Sequence, residues 1–437
     1  MKLIPYIIPF VKDAARAVKR ICQADFRAVA DETLTELLGI ATLIVTMYAM
    51  RREGEHEVLH LWCAHREEIA RCTRCGAFST AVHEEEHRCI RHLDVWGKKT
   101  FLHFMARRFR CEQCDRTFAE QLSFVDSHRR QSTAFERHVY QSCLGGTCKA
   151  VSLREGLSHA TTRQIFSRWA AALKGKASGA ATIRVLGIDE ISLKKRHRQF
   201  ALVISDIDRR CILAVLPDRE KKTLETWIDT LSPEDQKSIR FVSMDMWAPY
   251  HQAARNKLPH AKVVVDRFHV MKQLNTRLTQ LRTAHQKELS AEMRSEIKGS
   301  RWLLVRNRSD LSTSEEAQLI RLLNLCPELR TLYLLKEEFR RIFDKVHDRH
   351  KAERFFSVWI LKAGWTGNKY LAKFIITLRN WWEEILNYFI ERITNGFVEA
   401  LNGVLRVIMR IAFGYRNFHN FRLRAFAELG TSHANVR

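Results

Sequence analysis

The clearest periodicity in the chain lies near its C-terminus. In TNGFVEALNGVLRVIMR, residues 394–410, the apolar residues Val398, Leu401, Leu405 and Ile408 recur at helical spacing, whereas Asn395, Glu399, Asn402 and Arg406 fall on another face. The pattern predicts an amphipathic helix that holds one acid among side chains suited to position it. Upstream the pattern is β-rich: TIRVLGIDE, QFALVISDID and CILAVLPD, a helical KKTLETWIDTL, then IRFVSMD, a short helical PYHQAARNKL and AKVVVD. Three strands, a helix, a strand, a helix and a further strand fit a mixed α/β sheet, with the first strand expected to end in Asp189 and the fourth in Asp245. From about residue 270 to 390 the reading is helical, basic in TRLTQLRTAHQKEL and aromatic in FFSVWILKAGW and NWWEEILNYF.

The N-terminal part reads differently. Residues 55–125 are rich in Cys, His and charge, with strand-like pieces such as KTFLHFMARRFRC. Residues 131–173 read as short helices with a turn at GLSH. Ser158 is an N-cap for a helix that carries Ile165, Phe166 and Trp169 inward, with Thr162, Arg163, Gln164 and Arg168 facing out. This is the pattern of a helix-turn-helix whose last helix enters a major groove. KGKASGAAT, Lys174 to Thr182, reads as a linker. LLGIATLIVTMYAM, bounded by Glu36 and Arg51, falls short of the roughly 20 residues that cross a bilayer, so it is expected as a buried helix or strand. Residues 1 to about 30 read as an amphipathic extension without a secretory cleavage pattern, which points to a cytoplasmic protein.

At 437 residues and 46% hydrophobic content the chain is globular and long enough for two or three domains. Its 73 basic against 49 acidic residues give a net charge of +24, spread along most of the length. A polyanionic partner is implied, and nucleic acid leads, with no membrane association. Eleven cysteines, an odd number, do not suggest a disulfide framework in a reducing compartment. CTRC (Cys72, Cys75) and CEQC (Cys111, Cys114) instead offer two knuckles with four thiolates, the set that a structural Zn2+ takes. The gap between them exceeds the usual ribbon spacing, and a long hairpin built on RHLDVWGKKTFLHFMARRFR would close it. His83, His87, Cys89, Cys63 and His65 are weaker competitors for a ligand position.

Asp189 and Asp245 lie 56 residues apart, and Glu399 follows 154 residues later. Three acids brought together raise one another's pKa unless a cation neutralises them, and an all-oxygen set suits Mg2+ or Mn2+. Asp266 ends a further strand and competes on spacing, though a helix N-cap or a salt bridge with Arg267 or His269 is the simpler role; Glu190 should face the other side of the sheet from Asp189, and Asp206 and Asp208 should serve a turn. Tyr250 and Tyr415 lack the basic cluster a tyrosine recombinase needs. Trp359, Trp365, Trp381 and Trp382 read as core, with stacking on an unpaired base as the functional alternative. Arg410, Arg416, Arg422 and Arg424 give a basic tail suited to phosphate.

VLGIDE, VSMDMWAPY, VVVDRFHVMKQLN and TNGFVEALNGVLRVIMRIAFGYRNFHNF closely resemble, in that order, the ISL3 family of insertion-sequence transposases. CTRC and FRCEQCDRTFAE resemble the family's zinc-binding domain, and the following segment its helix-turn-helix; similarity runs from about residue 31 to the C-terminus. The resemblance implies an RNase H-like α/β catalytic core of the DDE type, split by a helical insertion, with Asp189, Asp245 and Glu399 as the triad. Ala400 stands where many relatives have Gly, a change that suits a helix. The expected plan is an N-terminal region at 1–54, a zinc module at 55–130, a helix-turn-helix at 131–173, core at 181–269, insertion at 270–390, and the final core helix with a basic tail at 391–437. The implied activity is metal-dependent cleavage and strand transfer at the terminal inverted repeats of a mobile element. Double-stranded DNA is the partner, Arg163, Gln164, Arg168, Thr162 and Arg416 are the expected DNA contacts, and a homodimer pairs the two ends. An RNase H-like nuclease or resolvase, or a non-catalytic DNA-binding regulator, is the alternative.

Overall fold

The computed structural model describes residues 26–28, 33–54, 56–177, 182–194, 199–288, 294 and 299–430. Apart from 26–28, the expected N-terminal extension lies outside the described residues. The chain divides into two compact units, Met1–Trp169 and Ala170–Arg437.

In the first unit, α1 (Thr33–Leu38) precedes a long sheet of β1 (Phe26–Ala28), β2 (Leu43–Glu53), β3 (His56–His65), β6 (Val82–Val95), β7 (Lys98–Arg110) and β8 (Thr117–Ala119). Its order is β1-β2-β3-β7-β6, with β8 on β7. The apolar run at 37–50 thus breaks at Gly39 (φ +66°) and continues as β2. The boundary expected at residue 54 falls in the turn between two paired strands, so β2 belongs to the zinc module's sheet. β6 and β7 form the long hairpin the cysteine spacing requires. Its two-residue turn holds Trp96 and Gly97 at φ 49° and 74°, the left-handed pair that matches strand twist. Leu43, Val45, Leu61, Ile90, Leu102 and Phe104 bury one face of this sheet against Phe124. The short strands β4 (Ala70–Arg71) and β5 (Phe78–Ser79) pair separately.

Three helices follow. α2 (Thr133–Cys143) is capped by Ser132, and α3 (Cys148–Glu155) is capped by Thr147 and stopped by the left-handed Gly156. α4 (His159–Ala177) starts where Ser158 Oγ accepts the Thr161 N–H at 3.0 Å. α4 runs through Ala177, so the first residues of the expected linker are helical; Lys and Ala favour that state.

The second unit is built on β9 (Val185–Lys194), β10 (Gln199–Asp206), β11 (Cys211–Leu216), β12 (Phe241–Met244) and β13 (Lys262–Val265), with α5 (Lys221–Asp229), α6 (Pro233–Ser238) and α7 (Ala248–Lys257) between them. The order is β11-β10-β9-β12-β13, antiparallel for the first three strands and parallel from β9 to β13. This is the mixed sheet of an RNase H-like core. Leu186, Ile188, Leu202, Ile204, Val242 and Met244 face Leu224, Ile228 and Tyr250 of α5 and α7. After α8 (Arg267–Glu288), α9 (Arg301–Val305), α10 (Thr313–Leu325), α11 (Pro327–Lys345), α12 (Arg349–Trp365), α13 (Lys369–Asn380) and α14 (Trp382–Glu391), the chain returns as α15 (Gly396–Ile411) and α16 (Phe418–Leu429). Ile191, Ala201, Val203, Ile212 and Val215 pack under Leu401, Leu405, Ile408 and Phe421 of these two helices.

The helical insertion has its own aromatic centre of Phe339, Phe343, Phe356, Trp359, Phe374 and Phe389. Trp359 is buried there and donates to Leu335 O at 2.8 Å. Trp381 and Trp382 pack at its edge, but Trp365, at the end of α12, is 86% exposed and not core. Among the described residues no helix is long and apolar enough to cross a membrane.

Candidate active site

The parallel register of β9 and β12 pairs Ile188 with Met244, so the next residues, Asp189 and Asp245, are neighbours across the sheet. β12 stops at Met244 while β9, held by β10, continues to Lys194. Asp189 therefore does not end its strand as expected: it lies beside the end of its parallel neighbour, which opens a notch there. Gly187, one pleat earlier on the same face, lets a helix come close. A Cβ at that position would lie 2.6 Å from Ser205 Oγ and 2.9 Å from Val398 Cγ2. α15 thus seats directly on β9.

From α15, the buried Asn402 donates Nδ2–H to Asp189 Oδ2 at 2.7 Å, and Asp189 Oδ1 accepts the Glu190 N–H at 2.7 Å. Burial pushes the Asp189 carboxyl up despite these bonds. Asp245 Oδ1 accepts the Met246 N–H at 2.8 Å and lies 2.9 Å from His269 Nδ1 on α8. Burial raises Asp245, but the His269 hydrogen bond and charge, with help from Lys272, outweigh it and leave its pKa lowered; burial lowers His269, and Asp245 more than compensates.

Asp266 caps α8 through the Phe268 N–H at 3.3 Å, and its other oxygen accepts the buried Asn395 N–H at 3.2 Å at the start of α15. It fastens the helix that carries Glu399 to the sheet. Glu399 stands three residues before Asn402, exposed and with no side-chain partner among the described residues. Glu190 faces the other side and pairs with Arg219 at 3.2 Å; Asp206 accepts the Arg209 N–H in its turn, and Asp208 pairs with Arg184. Tyr250 is buried, its hydroxyl inside the sheet–helix layer.

The acids present an all-oxygen donor set with lone pairs to spare, and the orphaned Asn402 Oδ1 lies in the same notch. Such a set fits Mg2+ or Mn2+. It is not closed in this state. Among the described residues only the four cysteines Cys72, Cys75, Cys111 and Cys114 have ligand atoms all within 4.8 Å of one another.

That cysteine cluster sits on two matching knuckles. Cys72 N–H bonds Ala77 O at 2.8 Å and Cys111 N–H bonds Arg116 O at 2.9 Å; the residues after the second cysteines, Gly76 and Asp115, are both left-handed. The backbone N–H groups of Cys75 and Arg74 bring the Cys72 thiol down to about 6, which favours thiolate. Four sulfurs gathered within 4.8 Å of one another fit zinc. The competitors lie elsewhere: His60 and His87 flank His103 at 2.9 and 3.2 Å with Cys89 at 3.7 Å, His65 lies 2.6 Å from Met105 O, and burial pushes Cys63 up to about 12.

On α4, Arg163 and Gln164 are exposed as expected. Thr162 is not: it is fully buried and its hydroxyl donates to Ser158 O at 3.1 Å. Arg168 is committed inside the unit, paired with Asp126 and with the buried Glu136. Arg416 lies exposed in the α15–α16 turn with no ion-pair partner among the described residues, whereas Arg424 is buried against Glu428 at 2.6 Å and is no phosphate contact. Two site residues escaped the sequence reading. Asn402 is visible on the Glu399 face without a role, and His269 lies within DRFH with nothing local to tie it to Asp245.

A sheet of this order, with acids on adjacent strands and a third on the covering helix, behind a four-cysteine ribbon and a three-helix module, defines a DDE-type transposase. Comparison with known proteins agrees. Residues 186–425 match the family model of the ISL3 DDE transposase domain, residues 69–114 that of the zinc-finger of transposase IS204/IS1001/IS1096/IS1165, and residues 120–170 that of the helix-turn-helix domain of transposase family ISL3. The transposase for insertion sequence element IS1001 of Bordetella parapertussis is 28% identical over 377 residues, covering 85% of this chain and 92% of that one. The transposase for IS1557 of Mycobacterium tuberculosis is 27% identical over 376 residues, covering 80% and 83%. The chain belongs to the ISL3 family of transposases, with a zinc ribbon and a DNA-binding helix-turn-helix ahead of its catalytic domain.

Proposed function

We propose that Asp189, Asp245 and Glu399 are the catalytic, metal-holding acids, and that the enzyme cleaves DNA at the terminal inverted repeats of its element and joins the freed 3′ ends to target DNA. The observation that carries this assignment is the 2.7 Å bond from Asn402 to Asp189, which ties the Glu399 helix to the strand beside Asp245. Bound Mg2+ or Mn2+ supplies activation of the attacking water or 3′ hydroxyl and neutralisation of the leaving oxygen. The chain's own contribution is placement. Asn402 fixes one Asp189 oxygen, His269 holds Asp245, and Asp266 anchors the start of α15. The exposed Glu399 is free to swing onto an ion. Arg163 and Gln164 read base edges, Arg416 contacts phosphate, and two copies pair the two ends.

The test is an end-cleavage and strand-transfer assay with Mg2+ or Mn2+ on DNA carrying the element's own ends. Intact protein should cut and join, and Asp189→Asn, Asp245→Asn and Glu399→Gln should each abolish both steps while end binding survives. Active variants would remove the assignment. End binding by intact protein without cutting would favour the regulator alternative.

A further inference from the structure

Beside the acids, a groove of about 750 Å³ opens between α8 on one side and the starts of α9 and α13 on the other. Its cations are Lys272, Lys287, Arg301 and Lys373, and among the described residues no acid lines it. Among the described residues none of the four has a carboxylate partner, whereas the insertion's other cations are often paired, as in Arg349 with Glu383, Lys362 with Glu338 and Arg340 with Glu337. Four cations around one concave surface, none of them in an ion pair with a described carboxylate, make a polyanion seat. Lys272 to Lys287 spans about 22 Å along α8 at about 1.5 Å per residue, enough for several successive phosphates.

The groove starts at the chemistry. Phe268, in its wall, adjoins His269, whose Nδ1 lies 2.9 Å from Asp245. Phe268 is 47% exposed, its ring perpendicular to that of His269 with centroids 5.4 Å apart, and Tyr370 lines the same groove. Duplex DNA hides its base faces, so rings in a cation-lined groove suit unpaired bases. We propose that this groove binds a short unpaired DNA strand next to the scissile phosphate, its backbone on the four cations and a base stacked on Phe268 or Tyr370. The inference rests on the catalytic assignment above only for which strand is held; the groove's preference for unpaired DNA stands separately.

The test uses the full chain. A short oligothymidylate carrying 5-iodouracil is photocrosslinked and the adduct mapped, and its binding is titrated against salt beside a duplex element end. We expect the adduct on Phe268 or Tyr370. We expect Lys287→Gln with Lys373→Gln, both exposed sites, to weaken the oligonucleotide about tenfold and to reduce its salt slope by roughly 1.4, about 0.7 for each lost phosphate contact, with the duplex end little changed. Phe268→Leu should lose affinity for the oligonucleotide with the slope intact. An adduct elsewhere, an unchanged slope, or equal losses on oligonucleotide and duplex would overturn the proposal. If intact protein fails to cut ends yet crosslinks in the groove, the catalytic assignment falls and the groove stands; if it cuts ends while the groove variants bind as wild type, the reverse holds.

Discussion

Gly187 decides how close Glu399 comes to the two aspartates. Alanine there would push on Val398 and Ser205 together, so Gly187→Ala should cost about 1–3 kcal/mol and depress end cleavage far more than end binding. Adding Val398→Ala relieves one of the two clashes and should recover part of the loss, as denaturant melts and cleavage rates would report. Asn402→Ala removes the only side-chain hydrogen-bond donor to Asp189 among the described residues. Cleavage should fall about ten- to a hundredfold, the range for lost support of a metal-ligating group, with a raised metal requirement and unchanged end affinity. An unchanged metal requirement would assign Asn402 to packing alone. The strand that carries Asp189, the strand end before Asp245 and the helix face of Glu399 were legible because such patterns are local, although β9 runs on past Asp189. Thr162 was misplaced by its polarity: it lies three, four and seven residues before Ile165, Phe166 and Trp169, on their own stripe, and its hydroxyl bonds back to Ser158 instead of DNA. The partners of Arg168 lie 42 and 32 residues away in sequence, a tertiary fact that no helical wheel contains. The same holds for His269 and Asp245.

At the scale of elements, the long β6–β7 hairpin and the two knuckles depend on each other. The hairpin brings Cys72 and Cys75 to Cys111 and Cys114, and the metal ties its open end. The protein should carry one zinc per chain, and Cys111→Ser or strong chelation should raise hydrogen exchange in β6, β7 and β8 while the α8–α14 body stays protected. Uniform protection after zinc loss would mean that the sheet holds without it. In the three-helix segment, Glu136 is buried and held by Arg129 and Arg168. Arg168→Ala should therefore act on stability, by about 1–3 kcal/mol for an undersatisfied buried carboxylate, and Arg163→Ala on end affinity. A melt and a binding isotherm for each variant separate the two effects. The linker's first turn was not legible, because Gly175 within it reads as a break and the helix runs through that glycine to Ala177.

Over the whole molecule the net charge of +24 makes binding to ends strongly salt-dependent. Stability should also respond to pH. In the first unit, burial brings His103 to about 3 and His92 to about 4 against an ordinary 6.5; His92 meets Ser132 at the cap of α2 at 2.8 Å. The unfolded chain takes up these protons first, so their contribution is complete above about pH 6.5 and is lost as pH falls toward about 4 and 3. Denaturant titrations at about pH 7, 6 and 5 with zinc kept saturating should give falling stability, and a flat profile would count against neutral buried imidazoles. In the second unit, the bond between Asp266 and Asn395 joins residues 129 apart. The chain leaves the core and re-enters it at almost the same point, and α14, the last helix of the excursion, stays on the sheet, where Asn387 donates to Val263 O at 2.9 Å. The helices before α14 can then change in length while this closing helix and the Asp266 bond keep the acid that follows in place.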